Sequence, residues 1–207
     1  YTDLEEVLNM IEDLLMELSN LTDSNLFKSP FKRLNIIEEL EKISGISIDP
    51  NNPHSFLHST LLSHLPPENR KLSPSKVFDK HVSNLIESKC IEPTFLFGHP
   101  IFISPLAKES TLRAGTADRF ELFVQGREIV NAYTELNDPT DQAQRFNLQA
   151  VQKANELDAE IPDGDEEFVE ALKVGMPPTT GCGIGVDRLV MLLTGQQQIR
   201  NVLLFPL

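Results

Sequence analysis

Arg119-Phe120-Glu121-Leu122-Phe123-Val124-Gln125-Gly126-Arg127-Glu128-Ile129-Val130-Asn131-Ala132-Tyr133-Thr134-Glu135-Leu136 is the most strand-like block of a 207-residue chain. Only Gln125–Gly126 interrupts it. A two-residue loop there makes a β-hairpin that pairs Val124 with Arg127, Phe123 with Glu128 and Glu121 with Val130. Side chains alternate faces along a strand, so Glu121, Phe123, Glu128 and Val130 share one face. The two carboxylates become diagonal neighbours, roughly 7–8 Å apart at the backbone. Such like charges repel unless a cation lies between them. Magnesium takes one or two carboxylates together with phosphate oxygens, so the pair is a candidate Mg²⁺–nucleotide site. The solvated outer face of an edge hairpin accounts for the same residues and is the commoner fate of Glu. Asn131, Tyr133 and Glu135 share a face that strict alternation places opposite Glu128. One pocket lined by all five demands a β-bulge near Ile129–Val130.

A second stretch, Gly181-Cys182-Gly183-Ile184-Gly185-Val186-Asp187-Arg188, puts three glycines on one strand face. Cys182, Ile184 and Val186 fall on the other, available for a core. The glycine face is bare backbone against which a flat ring can lie. Asp187 is expected to cap the following helix. Arg188 falls in its first turn, where a cation opposes the helix dipole. An unfavourably placed Arg beside a glycine floor points to an anionic ligand such as a triphosphate. The spacing is neither a P-loop nor a dinucleotide fingerprint. A tight strand with close neighbours accounts for the glycines equally well.

The remaining pattern places helices over Val7–Leu21, Arg33–Ser44, Ser75–Lys89, Thr140–Asp158, Glu166–Val174 and Arg188–Leu193. In the first helix Val7, Met10, Ile11, Leu14, Leu15 and Leu18 form the apolar stripe, and Met10 and Met16 are read as packing. Strands are expected at Phe95–Phe97, Ile101–Ser104, Gly181–Val186 and Val202–Phe205. Residues 49–74 hold five of the fourteen prolines and read as an irregular insertion around one short helix. Strands clustered between helices with hairpin connections imply an α+β fold with an antiparallel sheet flanked by helices.

The 18 Lys and Arg stand against 31 Asp and Glu, a net charge of −13, which excludes a broad electrostatic grip on nucleic acid. No apolar run reaches the ~18 residues of a membrane span. Cys90 and Cys182 form no disulfide framework, fit a reducing compartment, and are both expected buried without a nucleophile's partner. His54, His58 and His64 read as loop histidines rather than a metal site. Asp163–Glu167 reads as a solvated acidic loop.

The glycine strand, its Arg188 and the following Leu189–Thr194 and Ile199–Pro206 resemble motif 3 of the class II aminoacyl-tRNA synthetases. Pro93-Thr94-Phe95, Ser104-Pro105-Leu106-Ala107-Lys108, Asp118-Arg119-Phe120-Glu121, Gly126-Arg127-Glu128-Ile129 and Thr134-Glu135-Leu136-Asn137-Asp138 are similar to the lysyl-tRNA synthetases in particular. So are Asp141-Gln142-Ala143-Gln144-Arg145-Phe146 and Pro177-Pro178-Thr179. The resemblance covers nearly the whole chain. It implies that Glu121 and Glu128 hold Mg²⁺ on ATP. It implies that Asn131, Tyr133, Glu135 and Gly181 line a lysine pocket. Glu128, Ile129, Asn131, Gly185 and Arg188 are implied on ATP, with Arg188 catalytic. The implied activity is lysine–tRNA ligase: L-lysine and ATP form an adenylate, and lysine passes to tRNA(Lys). A paralogue that lysylates a protein, or a non-catalytic scaffold binding tRNA or partners, would share these residues.

The resemblance also implies that residues 1–207 are the C-terminal part of a class II catalytic domain. Tyr1-Thr2-Asp3 resembles the tail of motif 2, so motif 1, most of motif 2 and the anticodon-binding domain are expected upstream. A homodimer is implied for the whole enzyme, and little activity for this stretch alone. The 49–74 insertion, Phe97-Gly98-His99 and Gly195-Gln196-Gln197-Gln198 depart from the family pattern and suggest a divergent branch. The mitochondrial matrix is the expected compartment, with the cytoplasm as alternative.

Overall fold

A computed structural model describes residues 2–22, 24–156 and 164–206. Five strands form one mixed sheet in the order β1-β2-β3-β4-β5: Lys32–Asn35, Thr94–Phe97, Arg119–Val124, Arg127–Thr134 and Thr180–Ile184. The β2–β3, β3–β4 and β4–β5 pairs are antiparallel, as the hairpin pattern implies. The β1–β2 pair is parallel, so the sheet is not wholly antiparallel.

That strand also corrects the second helix. Lys32–Asn35 pairs with β2, and α2 runs only over Ile36–Ser44. The Asn35 side chain accepts from the backbone N–H groups of Ile37 and Glu38, which starts the helix there. Gly45, in the left-handed region at φ 69°, ends it.

One face of the sheet is closed by α1 (Leu4–Leu21) and by the last helix. Val7, Leu8, Ile11 and Leu15 pack there with Phe95, Phe120, Leu122, Val130 and Ala132. Met10 and Leu14, expected in the buried stripe, are 62% and 39% exposed, while Leu8 is buried. Met16 does pack against this core.

The other face is covered only at its β1–β2 end. Here α2 and α4 (Pro74–Leu85) bury Ile36, Ile37, Leu40, Val77, Phe78 and Val82, reaching Leu96 and Phe123. The 49–74 insertion belongs to this second core. It forms three short helical segments, Pro53–Leu57, Ser59–Leu62 (α3) and Pro67–Lys71, rather than one. Its Phe56 meets Phe78 edge-on at 5.0 Å. His81 of α4 is buried in the same layer, and burial pushes its pKa down to about 4. The expected helix over Ser75–Lys89 breaks at Leu85 into a separate turn, Glu87–Lys89.

Two expected strands are absent. Ile101–Ile103 is a 3-10 turn following Pro100, whose ring fixes the backbone there. Val202–Phe205 follows another such turn, Ile199–Asn201, and pairs with no described strand.

Helix α5 (Pro139–Glu156) and helix α6 (Glu166–Val174) form over the expected stretches as far as these are described. Leu157, Asp158 and Asp163 lie outside the described residues. The buried face of α5 is polar: Gln142 and Arg145 are buried, whereas Leu148 and Val151 are exposed. This face docks on the 104–107 loop, where bare carbonyls require donors.

Helix α7 (Val186–Thr194) starts two residues earlier than expected, and Gly185 rather than Asp187 is its N-cap. Cys90 is buried but Cys182 is exposed, because β5 is a sheet edge. Ile184 packs toward the first core while Val186 faces solvent.

Candidate active site

The uncovered sheet face carries the candidate site, and one irregularity builds it. Val124 pairs with Arg127 and Phe123 with Glu128, but Leu122 then pairs with Val130 and Glu121 with Asn131. Ile129 is the extra residue of a β-bulge, as the clash between the two alternations required. Past it, Asn131 and Tyr133 join Arg119, Glu121 and Glu128 on one face. Ile129, Val130 and Ala132 turn into the first core. Across the next ladder Gly181 pairs with Tyr133 and Gly183 with Asn131, which brings glycine backbone to the same face.

Glu121 is the most tightly held carboxylate, with its side chain 13% exposed. Arg119 Nη2 donates to Oε1 at 2.5 Å, and His99 Nε2 lies 3.2 Å from Oε2. Burial pushes this carboxyl up, but the neighbouring imidazole and guanidinium outweigh it and bring its pKa down to about 2. His99 is itself pushed down by burial, so Arg119 supplies the permanent charge.

Glu128 lies on the same pocket, of about 530 Å³, with Phe123, Arg127, Met191 and Arg188. Arg188 Nη1 donates to the Glu128 carbonyl at 2.8 Å and sits 3.4 Å from Oε2. Its stem rests on Gly185, 3.4 Å from where a Cβ would stand.

A third carboxylate, Glu87 from the turn after α4, lines this pocket and the adjoining cavity with His99 and Asp79. Burial pushes it up to about 7, helped by the charges of Glu121, Asp79 and Glu128. No spacing marks Glu87 in the sequence. It is brought here because α4 ends over β3. Three carboxylates thus converge here, with Arg119 on Glu121 and with Arg127 and Arg188 on the pocket wall, and carboxylates so placed repel one another unless cations lie among them. The residues present fit Mg²⁺ held by Glu121 and Glu128 beside phosphate oxygens.

At the far end of β4 the arrangement is different. Glu135 bridges Ala107 through the backbone, and its N–H donates to the Thr179 carbonyl at 2.9 Å. Its carboxylate makes no hydrogen bond or ion pair among the described residues. Burial pushes its pKa up. The carboxylate lies against Gly181, where a Cβ would overlap Oε1. Tyr133 is beside it, and its phenol is also raised, by burial and then by the charge of Glu135. Gly183 is open, with nothing nearer a built Cβ than the Asn131 carbonyl at 3.8 Å. Among the described residues no three His, Cys, Asp or Glu form a ready-made metal cage, and no helix is long and apolar enough to cross a membrane.

A sheet closed on one face and partly open on the other, a bulged acidic hairpin and a glycine edge strand leading to an arginine make up the candidate site. The sequence model for "tRNA synthetases class II (D, K and N)" matches residues 1–207, and the chain belongs to that family. Among its relatives is the lysine–tRNA ligase of Staphylococcus epidermidis, 39% identical over 216 residues, covering 100% of this chain and 43% of that protein. The lysine–tRNA ligase of Neisseria meningitidis serogroup B is 40% identical over 221 residues, covering 100% of this chain and 43% of its own length. A probable cytoplasmic lysine–tRNA ligase of Vairimorpha ceranae is 44% identical over 185 residues, 87% of this chain and 36% of that protein. The chain thus spans under half the length of these relatives.

Proposed function

We propose that this chain supplies the substrate-binding face of a lysine–tRNA ligase, with ATP, L-lysine and tRNA(Lys) as substrates. Glu135 carries the reading. A half-buried carboxylate with no partner among the described residues, raised by desolvation, is stabilised by a cation brought to it, and a lysine side chain ends in one. The same carboxylate repels an acidic side chain, which separates lysine from aspartate. The relatives that share the chain bear the matching name.

Each other residue then has a task. Glu121 and Glu128 hold Mg²⁺, which when bound offsets phosphate charge. Arg188 faces the same phosphates from the mouth of the pocket. Gly183 leaves a flat stretch of backbone for an aromatic ring. Catalysis by this face is alignment and charge compensation rather than covalent chemistry. We further propose that the whole protein is a homodimer and that motif 1, most of motif 2 and an anticodon-binding domain complete it.

The test is Glu135→Gln in the whole enzyme. Lysine affinity by calorimetry is expected to fall at least about tenfold, the size of one lost charge-assisted hydrogen bond. ATP affinity is expected to hold. Unchanged lysine affinity overturns the reading.

A further inference from the structure

We propose that Arg119 is a positioning residue that sets both halves of this face at once, holding Glu121 for a divalent cation and orienting the Asn131 amide toward a ligand acceptor. The inference rests on the lysine-ligase reading above and assigns a role to a side chain that contacts neither substrate.

The geometry is a three-way fork. Arg119 Nη2 reaches Glu121 Oε1 at 2.5 Å, Nε reaches Asn131 Oδ1 at 3.1 Å, and Nη1 reaches Ser104 Oγ at 2.8 Å. The register permits this, because Glu121 and Asn131 stand directly opposite each other only after the bulge. Arginine has donors and no acceptor, so the Asn131 atom facing it is the carbonyl oxygen. That assignment fixes the amide. Its Nδ2 is left with two hydrogens and no partner among the described residues. Asn131 therefore offers a donor, and the ligand atom assigned to it is an acceptor of the amino acid, its α-carboxylate.

The third tine is anchored firmly. Ser104 begins the loop that helix α5 clamps: Arg145 Nη1 donates to the Ala107 carbonyl at 2.6 Å, and Gln142 Nε2 to the Pro105 carbonyl at 3.2 Å. The same loop pairs back onto Glu135 through Ala107. One guanidinium thus ties the cation end of the face to the loop that carries the lysine end. A lysine at 119 keeps a charge beside Glu121 but has no planar fork to reach Asn131 and Ser104 together.

The experiment compares Arg119→Lys and Arg119→Met in the whole enzyme. Mg²⁺ alone is titrated by calorimetry, and KM is measured for lysine and for ATP in pyrophosphate exchange. For Arg119→Lys the Mg²⁺ affinity is expected within about threefold of wild type while the lysine KM rises about tenfold, one lost hydrogen bond from the Asn131 amide to a charged acceptor. The ATP KM should change less than about twofold. For Arg119→Met the Mg²⁺ affinity should also fall about tenfold. A wild-type lysine KM in Arg119→Lys, or an equal rise in both KM values, overturns the proposal. So does unchanged Mg²⁺ affinity in Arg119→Met. A wild-type enzyme that activates another amino acid would remove the lysine reading, and the Mg²⁺ titration would still decide the role of Arg119.

Discussion

The two ends of the open sheet face treat a carboxylate in opposite ways. Glu121 is boxed in by Arg119 and His99 and is ionised down to about pH 2. Glu135 has no side-chain hydrogen bond or ion pair among the described residues, and burial pushes its pKa up. At one end the protein supplies the cation itself and fixes geometry in advance. At the other it leaves the charge uncompensated, so that a ligand gains what the protein withholds. A rigid end suits a ligand that must be aligned, and an uncompensated end suits one that must be selected.

The largest expected effect breaks the rigid end. Glu121→Ala strips Arg119 and His99 of their shared partner in a nearly buried setting. Removing one partner of such a pair costs roughly 3–5 kcal/mol, so a loss of about 3 kcal/mol is expected in denaturant unfolding. A loss below about 1 kcal/mol would show the pair to be as weak as a surface ion pair.

A smaller effect sharpens the contrast at the other end. In Gly181→Ala the new Cβ meets only the tip of Glu135, which can swing away. Lysine affinity should fall about tenfold with stability changed by less than about 1 kcal/mol. Intact lysine affinity in calorimetry would show that the carboxylate need not lie over residue 181.

The smallest effect concerns Glu87, which lines the pocket beside Glu121 at the rigid end. Its folded pKa, about 7, exceeds its ordinary value of 4.5, so the folded state binds the extra proton in that window. Stability should therefore fall as pH rises from 4.5 to 7. Glu87→Gln should flatten that part of the pH–stability curve. A slope equal to that of wild type would place the titration elsewhere.

Much of this was legible beforehand, for reasons particular residues make clear. The hairpin was readable because Gln125–Gly126 breaks an otherwise unbroken strand pattern. The bulge was readable only with the family resemblance, which puts Glu128 and Asn131 in one site although strict alternation parts them. Strand β1 was not, because Arg33-Leu34-Asn35 leads into a helical spacing and its pairing partner lies some sixty residues away. The buried face of α5 is not legible in the sequence, because it is built of Gln142 and Arg145, which apolar periodicity does not mark. Cys182 looked like a core residue until β5 proved to be an edge.

The sequence by itself determined the chemistry of the face: which carboxylates, which arginine and which glycines stand on two strands, since alternation and turn residues are local properties. Only the tertiary structure decided which of those charges are compensated. His99 and Glu87 reach the site through packing of the 98–104 loop and α4 against the sheet, where Arg119 of β3 turns to Glu121, Asn131 and Ser104. A charge is cheap or costly according to what surrounds it in space, and one-dimensional spacing does not record that.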